Sequence, residues 1–161
     1  NVQDFPSPKR LVNVSKSCVR VARLFGFDPK VAFLSHSTFG KPISKNTKHV
    51  RDAIEILKQE KVDFNFDGEM QPDVALNPIY QEIYPFSKIV GNANILIMPA
   101  LHSAAISTKL MKVFGGGKLI GPLLIGLGLP IEVAPLRSST SDILNLASIA
   151  AYSSDIIDYS N

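Results

Sequence analysis

Val31-Ala-Phe-Leu-Ser-His-Ser-Thr-Phe-Gly40 is the stretch that decides the fold. Its first four residues form an unbroken apolar run between turn signals, the pattern of a strand buried on both faces. Such a strand needs helices on either side, and the flanking sequence supplies them. Before it, apolar residues at Leu11, Val14, Cys18, Val21, Ala22 and Phe25 recur every three or four positions. That spacing predicts one helix over Lys9–Phe25, closed by Gly26 and the Asp28-Pro29 turn. After it, Asn46 or Thr47 is placed to cap a helix whose stripe is Val50, Ala53, Ile54 and Leu57, ending near Lys61.

The alternation continues. Val62–Phe66 reads as a second strand running into Asp67-Gly68, with a short helix from Pro72 or Asp73 to Asn77. Ala93–Met98 is a third strand stopped by Pro99, and Ser103–Phe114 a helix ended by Gly115-Gly116-Gly117. Leu119–Leu127 is a fourth apolar segment, in which Pro122 lacks a ladder donor and predicts a bulge or strand end. Ile131–Ala134 is expected as a fifth strand, and Thr140 or Ser141 as the cap of a last helix over Asp142–Ser153. Alternating helices and strands imply an α/β domain, a mostly parallel sheet of about five strands between helices. Residues 1–8 read as a linker, 9–155 as the domain and 156–161 as a tail.

Bulk properties narrow the partners. At 161 residues the chain holds one core, and 45% hydrophobic against 19% charged residues excludes disorder. A net charge of +3, with scattered basic residues, gives no nucleic-acid footprint. The basic residues of Lys41–Arg51 read as a solvated loop and first helical turn. The longest apolar run is broken by Gly and Pro and is too short to span a membrane. A single cysteine, Cys18, excludes an internal disulfide and a cysteine-built metal site and fits a reducing cytoplasm; its default role is a buried, unreactive thiol. The chain opens at Asn1 rather than Met, as expected of a fragment.

Chemistry should gather at the strand ends, where open α/β sheets bind ligands. Three polar clusters lie there: Ser35, His36, Ser37 and Thr38; Asp67, Glu69 and Gln71; and Asn94, Pro99 and His102. Ser35 and His36 are sequence neighbours, which face apart in an extended segment and form no dyad, and no Gly-x-Ser-x-Gly elbow is present. Asp67 and Glu69 suit either a hard cation or backbone N–H donors; the turn at Gly68 favours the donors for Asp67. Gly115-Gly116-Gly117-Lys118 follows a helix instead of opening one, so it lacks the dipole of a phosphate loop. His49 is assigned no role, and His102 reads as a cap neighbour. Residues alone lead to an α/β domain with a polar rim.

Five blocks, in order, resemble the second half of the phosphate acetyltransferase family. They are Val31–Gly40, Asp67-Gly-Glu-Met-Gln-Pro-Asp-Val-Ala75, Gly91-Asn-Ala-Asn-Ile-Leu-Ile-Met-Pro99, Gly121-Pro-Leu-Leu-Ile-Gly-Leu127 and Pro130–Ile143. The resemblance implies a three-layer αβα fold of the isocitrate/isopropylmalate dehydrogenase-like type. Two subfamilies share the blocks: the enzymes that move acetyl between coenzyme A and phosphate, and the C-terminal domain of the large bacterial NADP-dependent malic enzymes. Transferases carry a Ser-Arg pair where this chain has Pro135-Leu136; only the following Asp is matched, by Asp142. Arg137 is one place late, Ile125 stands where Gln is usual, and the transferases' glycine-serine-glycine run is Gly40-Lys41-Pro42 here.

The resemblance therefore implies a regulatory, oligomerising domain, at least a dimer, that does not transfer acetyl groups and holds acetyl-CoA as an effector. Oxidative decarboxylation of malate to pyruvate, with NADP and a divalent metal, would belong to an N-terminal malic enzyme domain in cis. The alternative is an active phosphate acetyltransferase, with Arg137 replacing the lost Arg. Ser37, Thr38, Asp67, Asn94 and Asp142 match family positions near the cleft, and Arg137 joins them as the substitute cation. No catalytic or metal-binding residue is assigned. The apolar residues of the last helix, Ile143, Leu146, Ile149 and Ala150, are expected mostly in the core.

Overall fold

The computed structural model describes residues 3–125, 127 and 129–156. The chain divides into two compact units, Asn1–Thr108 and Lys109–Asn161.

The first unit is built on a parallel sheet of order β2-β1-β3, with β1 (Lys30–Leu34) central, β2 (Asn65–Met70) on one side and β3 (Ile95–Ile97) on the other. Its central strand is buried on both faces, as the apolar run requires. Val31 and Phe33 enter one apolar cluster, Ala32 and Leu34 the other. Helices α1 (Pro8–Leu24) and α2 (Lys48–Glu60) cover the first face, which also takes Phe66, Ile95 and Ile97. On the second face lie Met70, Ala75 of the short α3 (Pro72–Leu76), Ile89 and Ala93.

Helix α2 buries Val50, Ala53, Ile54 and Leu57, the stripe read from its spacing, and closes on Lys61 in the left-handed conformation. Helix α1 forms where expected but rotated. It buries Leu11, Val12, Ser15 and Val19, with Cys18 and Ala22 packed alongside, while Val14 and Phe25 are exposed. Ser15 lies on the buried face without an unsatisfied hydroxyl, because it donates to the Val12 carbonyl at 2.8 Å. Burial pushes the Cys18 thiol pKa up, in line with an unreactive thiol. Within the expected linker, Ser7 caps α1 through the Arg10 amide, and Pro8 takes the first helical turn.

Strand β2 begins later than expected and runs through the polar stretch. Its ladder with β1 shifts register between Phe33 and Leu34, where Phe33 pairs with Gly68 and Leu34 with Met70. Glu69 is thus the extra residue of a bulge. In an unbroken strand Phe66 and Met70, four apart, would share a face; the bulge puts them in opposite clusters. Gly68 makes this possible. Its φ is +141°, and a Cβ there would stand 2.6 Å from the Phe33 carbonyl oxygen.

The sheet has three strands among the described residues, not five. The described parts of Leu119–Leu127 and Ile131–Ala134 join no ladder. Gly121 takes φ +127° and Pro122 has no N–H, while the Leu124 amide goes to the Glu132 carboxylate at 3.2 Å instead of a strand carbonyl. Helix α4 (Leu101–Phe114) starts two residues early and ends at the glycines. In the second unit α5 (Thr140–Ile156) buries Leu146, while Ile143 is exposed and Ile149 and Ala150 are half-buried, so the core reading of that helix holds for Leu146. Of the expected tail, residues 157–161 lie outside the described residues. No described helix is long and apolar enough to cross a membrane.

Candidate functional site

Parallel strands bring the C-terminal ends of β1, β2 and β3 to one edge of the first unit. Its centre is Glu69, 1% exposed. One carboxylate oxygen, Oε1, accepts from the Ser37 hydroxyl at 2.9 Å, the Gly40 amide at 3.0 Å and Arg51 Nη1 at 3.2 Å. A buried carboxylate needs such a set, because unpaired charge away from water is expensive. Arg51 also donates to the Thr47 hydroxyl at 2.6 Å and the Ser44 carbonyl at 3.0 Å, using the fork of its guanidinium.

The β1 loop folds around this carboxylate. Thr38 and Lys41 exchange backbone hydrogen bonds, and the Phe39 amide donates to the Glu69 carbonyl at 2.7 Å. Phe39, at φ +48°, packs its ring on Tyr84 and Phe86. Ser37 is completely buried. It donates a hydrogen bond to Glu69 and lies 3.1 Å from the Ser35 hydroxyl. Thr38, 7% exposed, accepts from the Gln71 amide, and the Gln71 side chain donates to the His36 carbonyl. Ser37 and Thr38 are therefore brought together at the rim as its buried frame, with His36 and Gln71 on the solvent side.

Asp67 and Asn94 serve the backbone. Asp67 accepts from the Gly68 amide at 2.9 Å and from the Lys88 amide at 2.7 Å, which is the donor set its sequence favoured. Asn94 precedes β3 and lies at the opposite end of the sheet from Ser37. Its side chain accepts from the Lys30 amide at 2.8 Å and donates to the Asp28 carbonyl at 2.7 Å. The structure does not bring it to the rim, because Asn94 falls before the short strand instead of within or after it.

Arg137 and Asp142 belong to the second unit, where they line one cavity of about 100 Å3 together with Lys112, Gly121, Pro135 and Asn145. Asp142 completes a reciprocal cap of α5. Its Oδ2 accepts from the Ser139 amide and hydroxyl at 2.9 and 2.8 Å, and the Ser139 hydroxyl accepts from the Asp142 amide at 3.2 Å. Ser139, one residue before the expected Thr140, is thus the capping residue. The Ser139 amide, then its hydroxyl and the Lys118 ammonium 3.5 Å away, hold the Asp142 carboxyl below the usual carboxylate range. Arg137 is exposed, and Leu136 beside it is wholly exposed and outside the cavity lining.

Sequence reasoning missed Arg51 by reading it with the solvated basic run. Its signal was position: three residues into α2, one residue after Val50 of the buried stripe, next to the β1–α2 loop that carries Ser35, Ser37 and Thr38.

Comparisons place this geometry among known proteins. The sequence profile described as phosphate acetyl/butaryl transferase matches residues 1–151. The NADP-dependent malic enzyme of Rhizobium meliloti is 46% identical over 151 residues, covering 94% of this chain and 20% of that protein. The phosphate acetyltransferase of Bacillus subtilis is 33% identical over 147 residues, covering 91% and 46%. A crystal structure of a phosphotransacetylase from Streptococcus pyogenes superposes with a TM-score of 0.90 at 34% identity, covering 96% of this chain and 47% of that one. The chain spans about a fifth of the length of the malic enzymes it matches and under half that of the transferases.

Proposed function

This chain belongs to the phosphate acetyl/butaryl transferase family, and on that premise we propose that it is the phosphotransacetylase-like part of an NADP-dependent malic enzyme, holding acetyl-CoA as an effector without transferring its acetyl group. The observation that carries this reading is Pro135-Leu136. Family-like transferases have a hydroxyl and a cation there; here Pro135 lines the cavity with no donor, and Leu136 is wholly exposed. Acyl transfer from a thioester needs charge stabilisation on the developing oxyanion, and loss of one such donor costs about 10²–10³ in rate. The 46% identity to a malic enzyme, against 33% to a transferase, supports the same choice.

The residues present suit part of the ligand. A cavity of about 100 Å3 with Lys112 and Arg137 on its wall admits a small anion or one end of a longer molecule, not a whole coenzyme. On this reading malate, NADP and a divalent metal are handled by a malic enzyme domain in the same cytoplasmic polypeptide, which works as an oligomer. Exposed Leu129, Val133, Ile143 and Leu144 in the second unit supply apolar surface for self-association.

The second reading is an active phosphate acetyltransferase. It is favoured by one observation, that Arg137 and Asp142 line the same cavity. One assay separates the two. The full polypeptide is given acetyl-CoA and phosphate, and acetyl phosphate is measured; no formation above background is expected, while malate oxidation should fall as acetyl-CoA rises. Turnover at an ordinary enzymatic rate would overturn the proposal.

A further inference from the structure

The first turn of α2 is tied to the ends of all three strands. Arg51 holds the Ser44 carbonyl, the Thr47 hydroxyl and the Glu69 carboxylate at the end of β2. Through Glu69 it reaches Ser37 and Gly40 after β1. One residue before Val50, the His49 ring nitrogen Nε2 lies 2.9 Å from the Pro99 carbonyl, which follows β3. The two residues are therefore spaced to serve the two rim loops from a single turn, and the Arg51 side chain is 30% exposed, less than any other cation in an ion pair of the described residues.

We propose that Arg51 is the positioning residue of the rim. It neutralises a carboxylate buried in a bulge and, through that carboxylate, holds the Ser37 and Gly40 ends of the loop above it. The argument is electrostatic. Glu69 gathers two neutral donors on Oε1, and among the described residues only Arg51 brings it positive charge. Without that charge the buried carboxylate is destabilised, and opening of the loop above it, which admits water, relieves the penalty. Lysine substitutes only in part, because one ammonium cannot span the Ser44 carbonyl, the Thr47 hydroxyl and Glu69 in the plane of the guanidinium. The link from this loop to acetyl-CoA rests on the proposed function together with the match of Ser37 and Thr38 to family positions near the cleft; the link from Arg51 to the loop does not.

Hydrogen exchange and acetyl-CoA titration of the full polypeptide test the two links separately. In Arg51→Met the Phe39 and Gly40 amides should exchange about tenfold faster or more, the scale of one lost charge-assisted bond, while the Val31–Leu34 amides keep their protection. Arg51→Lys, which keeps the charge but not the guanidinium fork, should lie between Arg51→Met and the original protein. Should Arg51→Met not fold, Arg51→Met with Glu69→Gln removes the orphaned charge and keeps an acceptor oxygen for Ser37 and Gly40; the Phe39 and Gly40 amides should then return close to their original rates. Unchanged exchange at Phe39 and Gly40 in Arg51→Met, or equal acceleration throughout β1, would overturn the positioning role, the second by making Arg51 a general stabiliser. Acetyl-CoA affinity should weaken about tenfold alongside the local loosening. Unaltered affinity with a loosened loop would overturn the link to the ligand. An original protein that binds no acetyl-CoA would sink the functional reading alone, with the exchange pattern still deciding the role of Arg51.

Discussion

Residues 31–70 and residues 119–146 are both rich in apolar side chains and use them in opposite ways. In the first stretch Val31, Phe33, Val50, Ala53 and Leu57 are at most 1% exposed and close the cluster on one face of a sheet. In the second, Leu119, Ile120, Leu124 and Ile125 are 41–46% exposed, and Leu146 is the large apolar residue that is buried. Hydrophobicity is alike; backbone pairing differs. A ladder fixes alternate side chains on a common face, so helices can cover them. A segment carrying Gly121 and Pro122 with its Leu124 amide on a side-chain carboxylate presents no such face. The first unit thus completes its own core, and the apolar surface of the second is what the proposed self-association would use.

The largest expected contrast comes from truncating one residue of each kind. Phe33→Ala should cost about 3–5 kcal/mol, whereas Leu124→Ala should stay within about 0.5 kcal/mol. Urea melts of the two variants measure both, and similar losses would break the comparison. Gly68→Ala should have an intermediate effect, about 1–3 kcal/mol, since the new Cβ meets the Phe33 carbonyl at 2.6 Å and φ is +141°. A fully native melt for Gly68→Ala would remove the bulge from its place in the argument.

The smallest effect sharpens the picture of the second unit. The Asp142 carboxyl is held below its usual range by Ser139 and Lys118. A lowered folded-state pKa means that its support for the start of α5 is complete above the ordinary carboxylate range and is lost as pH falls through the lowered value. The Ser139 amide resonance should therefore titrate on the acid side of that range and be flat there in Asp142→Asn. An amide that moves identically in both proteins would show that the cap does not operate. A matching titration of the β1 amides is not expected.

The sequence by itself determined the periodic elements. The α2 stripe needs only neighbours three and four positions away, and the run at Val31 needs only its own four residues, so both were legible and both are where their spacing placed them. The backbone donors of Asp67 were legible for the same reason: one of them is the next residue, Gly68. What the tertiary structure alone decided is the rim. Glu69 takes its partners from residues 18, 29 and 32 positions away, and it reaches them because a bulge adds one residue to one strand of a ladder. Periodicity carries no information about a register shift between strands more than thirty residues apart. Nor does it say which apolar run will find a pairing partner, which is why Leu119–Leu127 and Ile131–Ala134 looked like strands although their described residues join no ladder. Side-chain pattern is a local property, whereas a ladder and a buried ion pair exist only once distant segments have met.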